Sequence, residues 1–222
     1  MTHTNHREGT PESLGHDFVV MFMPAKGYNN DAAVAGKLRR ALDIYLRHRP
    51  VNAGAIKAGY LLADSPEQMK RIIAEDTPMI HAVYTTSAQV EAVLRDLKEA
   101  DMGISVVVSG PVEEVARLSE RAEIRRHSVE FSLGVLGRRD LLAPAHLRPL
   151  ITMCGHGLIS RSLAEEVLGD VRTGRSTPEE GARRLGLQCV CGIFNPERAA
   201  RLIREAVAAR AAAPASGDGE AR

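Results

Sequence analysis

The stretch Asp17–Pro24, DFVVMFMP, reads as a buried β-strand, six apolar residues in a row between an aspartate and a proline. A helical pattern follows from Asp31 to Arg47. The same alternation continues downstream. GAIKAGYLLA (54–63) reads as a possible second strand. In SPEQMKRIIAE (65–75), Ser65 stands in a capping position, Pro66 in the first helical position and Gln68 in the third. MIHAVYTT (79–86) reads as a strand, and SAQVEAVLRDLKEA (87–100) as a helix with Val90, Val93, Leu94 and Leu97 on one face. GISVVVSG (103–110) is a strand, PVEEVARLSERA (111–122) a helix and HSVEFSLGVLG (127–137) a further strand.

Strand and helix in repeated alternation predict an α/β fold with a mainly parallel sheet flanked by helices. A ferredoxin-like α+β arrangement is the alternative. Past residue 140 the pattern turns helical. Ser162 with Glu165, Thr177 with Pro178 and Glu180, and Asn195 with Pro196 each signal a helix start. The expected organisation is a disordered leader over 1–15, an α/β domain over 16–140, a helical segment over 141–210 packed on it, and a disordered tail over 211–222.

The chain's three cysteines all fall in the helical segment, in TMCGHGLIS (152–160) and QCVCGIFNPERA (188–199). They lie in turns between helices. Cys154 is followed by Gly155, His156 and Gly157, and such glycines let backbone bend close to a bound group. Cys189 and Cys191 are two apart, so in extended backbone their thiols share one face. Three thiolates suit a [4Fe-4S] cluster with one open iron. Adding His156 gives four ligands and suits tetrahedral zinc. The C-x-C pair matches neither the usual zinc-knuckle spacing nor the C-x₂-C runs of ferredoxins. A third reading is a thiol redox or sulfur-carrier pair at Cys189 and Cys191.

The expected function is an iron–sulfur enzyme of lyase, desulfurase or oxidoreductase type acting on a small anionic molecule. Cys154, Cys189 and Cys191 hold its cluster, and His156 shuttles a proton. The alternative is a zinc-stabilised, non-catalytic binding module. Lys26 and Tyr28, in the loop PAKGYNND (24–31) after the first strand, are expected to hold the substrate's negative group beside Asn29 and Asn30. Thr85, Thr86, Ser109 and Ser132 read as caps or turns. His81 reads as a buried, hydrogen-bonded histidine and His127 as a surface one.

Composition bounds the rest. Lys+Arg 29 against Asp+Glu 28 leaves no cationic excess for nucleic acid, and Trp is absent. No apolar run approaches a membrane span, and the first fifteen residues lack a signal-peptide core, so the expected location is cytoplasmic. No membrane partner is expected, and a homodimer is the oligomeric option.

Overall fold

The computed structural model describes residues 2–212. The tail expected over 211–222 therefore lies, from residue 213 on, outside the described residues. In chain order the elements are α1 (Pro11–Leu14), β1 (Phe18–Met23), α2 (Val34–Arg47), β2 (Asn52–Ala55), β3 (Gly59–Tyr60), α3 (Pro66–Ile72) and β4 (Ile80–Tyr84). They continue as α4 (Ser87–Ala100), β5 (Ser105–Ser109), α5 (Val112–Arg121), α6 (Arg148–Ile151), α7 (Arg161–Arg172), α8 (Pro178–Gly186) and α9 (Pro196–Ala212).

The five strands form one sheet in the order β3-β2-β4-β1-β5, and every neighbouring pair is antiparallel. This overturns the mainly parallel sheet expected from the sequence. The reason lies in the crossovers. The link from β1 through α2 to β2 skips one position, which β4 fills, and the link from β4 through α4 to β5 skips one, which β1 fills. Helix-linked strands thus run the same way without touching, and each is paired with a strand running the other way. That order of the four longer strands is the split βαβ pattern.

β1 lies in the interior of the sheet and is buried on both faces, which explains its unbroken apolar run. Phe18, Val20 and Phe22 pack with α2, α4 and α5, together with Ala82 and Tyr84 of β4. Val19 and Met21, with Val83 of β4, point the other way into a second core built by α6 to α9. The protein is therefore a three-layer stack, and the second helical layer carries the cysteines.

Local signals set most helix starts. Ser65 with Gln68 and Thr177 with Glu180 both close full capping boxes, and Thr86 caps α4. Asn195 Oδ1 accepts from the Arg198 amide at the head of α9. The start of α7 differs from expectation. Ser160, not Ser162, accepts the Leu163 amide, which moves the cap two residues earlier.

Two further segments differ. The segment 54–63 forms a short hairpin of β2 and β3, reversed by the turn Ala55–Ala58, in which Lys57 takes φ +74 and the Ala58 amide donates to Ala55 O. The strand expected over 127–137 is not formed. Val129, Phe131 and Leu133 are exposed there, so the alternation has no partner strand to pair with. Within the leader expected over 1–15, Pro11–Leu14 form α1, and Arg7, ahead of that helix, reaches Asp17 and the Ile193 carbonyl. No helix among the described residues is long and apolar enough to cross a membrane.

Candidate functional site

The site begins with two turns. α6 runs into a single tight turn, Thr152–Cys154, that ends at Gly155 with φ +73. The reversed backbone brings the amides of His156 and Leu158 onto the Cys154 sulfur. Across from it, Cys191 is followed by Gly192 with φ +81, and the Ile193 amide reaches the sulfurs of both Cys189 and Cys191. Each turn is thus a cysteine, a left-handed glycine, and an amide two residues on that donates to sulfur. Such donors stabilise thiolate charge.

The sheet holds the second turn in place through its carbonyls. Tyr60 Oη donates to Leu187 O at 2.8 Å and Asn52 Nδ2 to Phe194 O at 3.0 Å. His81 Nε2 donates to Cys191 O, and Arg7 donates to Ile193 O. Residues from β2, β3, β4 and the N-terminal stretch therefore anchor the segment between α8 and α9.

Cys154 is brought together with Cys189 and Cys191, which lie two apart in the chain. All are free, and their exposures are 0%, 0% and 1% in chain order. Cys189 Sγ stands 3.7 Å from Cys191 Sγ, and Cys191 Sγ stands 3.6 Å from His156 Nδ1. Cys154 hydrogen-bonds to Cys189. The donors form a chain, Cys154 to Cys189 to Cys191 to His156. Cys154 and Cys191 interact only through space. Accordingly, among the described residues no group of three or more His, Cys, Asp or Glu closes into metal-holding geometry.

Protons along this chain are unevenly held. The hydrogen bond to Cys189, then burial, raises the Cys154 thiol well above its ordinary range. Cys189 is lowered by its bond from Cys154, but its bond to Cys191 and its burial outweigh that, and the net shift is upward. Cys191 is lowered, chiefly by the bond from Cys189, against the cost of burial. Of the three thiols, Cys191 is thus the one whose proton is held least tightly, and it lies beside the exposed ring of His156.

His81 behaves as a buried histidine should. Burial drives its pKa down to about 4, so the ring is neutral. With its Nε2–H on the Cys191 carbonyl, Nδ1 carries no proton, and that atom is enclosed with no hydrogen-bond partner. His127 is exposed.

Lys26 and Tyr28 stand apart from this cluster. Both are exposed, Tyr28 to 94%, and no hydrogen bond or ion pair of theirs reaches the cysteine turns. Their loop is closed by its own amides. Asn29 Oδ1 accepts from the Ala25 amide at 2.6 Å and Asn30 Oδ1 from the Gly27 amide at 2.7 Å. Residues that sequence reasoning passed over include Asn52, Tyr60 and Arg7, whose partners lie more than a hundred positions away. Nothing in the sequence around them marks these long-range bonds.

Comparison with protein families, with curated proteins and with solved structures finds no match to this chain.

Proposed function

We propose that Cys154, Cys189, Cys191 and His156 form a Cys₃His metal-thiolate centre for a single zinc-class ion, which fastens the turn after α6 to the turn between α8 and α9. The spacing of the donors carries this reading. A tetrahedral ion with metal–sulfur bonds of about 2.3 Å needs sulfurs about 3.8 Å apart, and sulfur about 3.6 Å from an imidazole nitrogen. The pairs Cys189–Cys191 and Cys191–His156 stand at 3.7 and 3.6 Å. Thiolates that bind different irons of a four-iron cluster sit farther apart than one tetrahedral edge, so the single ion is the better fit. The amides aimed at the sulfurs serve either inorganic centre.

Binding draws Cys154 and His156 onto the point that Cys189 and Cys191 already face. Three thiols lose protons in the process, so affinity falls as pH falls. Metal and acid-labile sulfide analysis of protein purified without oxygen tests the reading. One zinc per chain, lost in Cys191→Ser, with a lower unfolding temperature after chelation, supports it. Iron with sulfide selects the four-iron reading and its enzymatic chemistry instead. Absence of any metal after reconstitution, with a reversible Cys189–Cys191 disulfide, selects the thiol pair and sinks the metal centre.

A further inference from the structure

Buried charge in this protein does not balance. Among the described residues Asp17 is the one acid that is buried, and its side chain is wholly enclosed. Two guanidiniums share it, Arg198 at 2.8 Å and Arg7, with side-chain exposures of 0% and 4%. A third, Arg201, lies near enough to Arg198 to repel its charge. Arg201 Nη2 is enclosed and has no hydrogen-bond partner. Buried cations ordinarily come with matching anions, because an uncompensated charge away from water is costly.

The excess faces an opening. A cleft of about 480 Å³ lies between the first turns of α9 and the turn that joins β4 to α4, lined by Arg198, Arg201, Arg204, His16, Thr85 and Thr86. Two acids also border it: Glu179, whose carboxylate is engaged by Arg204, and Glu197, which is exposed, so three arginines face two acids there. The volume suits a small molecule. Planar guanidiniums match the paired oxygens of carboxylate and phosphate, and the Thr85 hydroxyl adds a neutral donor. A larger groove of about 680 Å³ between α2 and α4 lacks this character, since its arginines alternate with Asp43, Asp96 and Glu99.

We infer that this cleft is a binding site for a small oxyanion, a carboxylate- or phosphate-bearing molecule held chiefly by Arg201 with Arg204 and His16. The inference stands on charge and cavity alone and does not depend on the metal centre. It places the anion at the head of α9, not at Lys26 and Tyr28.

Calorimetric titration of the full chain with inorganic phosphate, and separately with citrate, tests it. At least one should bind with a millimolar or tighter constant and raise the unfolding midpoint, whereas chloride at equal ionic strength should not. Binding of phosphate alone or of citrate alone supports the site and names the oxyanion. Arg201→Gln should weaken binding at least tenfold and Lys26→Gln should leave it unchanged. If Arg201→Gln fails to fold, Arg204→Gln carries the same comparison. Failure of both anions to bind, or wild-type affinity in the arginine variant, overturns the inference.

Discussion

Gly192 shows how much one residue decides at the cysteine turn. A Cβ built there would stand 2.9 Å from Ala53 O and 2.8 Å from Tyr60 Cβ, with φ at +81. Gly192→Ala should therefore cost roughly 1–3 kcal/mol of stability, from strain and displacement together. Urea unfolding measures it, and an unchanged midpoint would contradict the packing described. His81 makes a pH prediction. Its folded pKa is about 4 against an ordinary 6.5, so the unfolded chain takes up a proton before the folded one does. Its contribution is complete above pH 6.5 and is lost as pH falls toward 4, roughly 3 kcal/mol in all. His81→Gln should flatten that slope over the same window, and an equally steep slope in the variant would assign the loss to other groups. What the sequence revealed at this scale was the cysteine cluster, because two glycine turns flank it. The partners of those turns were hidden. Nothing in the local pattern around Arg7 announces a bond to a carbonyl 186 positions later.

Among the elements, local chemistry was legible and pairing was not. Thr177→Ala removes the side-chain acceptor of the Glu180 amide and should cost about 1 kcal/mol, read by thermal unfolding. Capping of this kind depends on four adjacent residues, so spacing reveals it at α3, α4 and α8, although at α7 it pointed to Ser162 where Ser160 caps. The segment 127–137 is the counterexample. Its alternation of Val129, Phe131, Leu133 and Val135 looks like a strand, yet those side chains face outward. Leu133→Ser should change stability by less than about 0.5 kcal/mol, against the several expected of a core leucine. A loss above about 2 kcal/mol in urea unfolding would show that the leucine is packed. Alternation reports a pleated habit, but a strand also needs a partner. The sheet itself was misread for a related reason. Helical crossovers that skip a strand leave the same strand–helix order in sequence as crossovers that do not.

At the scale of the whole molecule, the N-terminal stretch ties the layers together. Arg7 spans Asp17, ahead of β1, and Ile193 in the cysteine turn, while Glu8 pairs with Arg148 and its carbonyl accepts from Arg198. Deleting residues 1–9 should cost roughly 3 kcal/mol, the scale of breaking a buried charge pair. It should also speed reaction of the buried thiols with a thiol reagent. Unchanged stability and unchanged thiol reactivity would show that the tie is idle. β1 has one more consequence, and it concerns synthesis. The strand is made well before α9, which covers one of its faces and whose buried Ile203 is translated 180 residues after Met23. At ordinary elongation rates that interval is roughly 10–40 s. For all of that time the nascent chain displays an adhesive apolar ribbon, so its yield in a cell should rise and fall with the supply of chaperones that shield it.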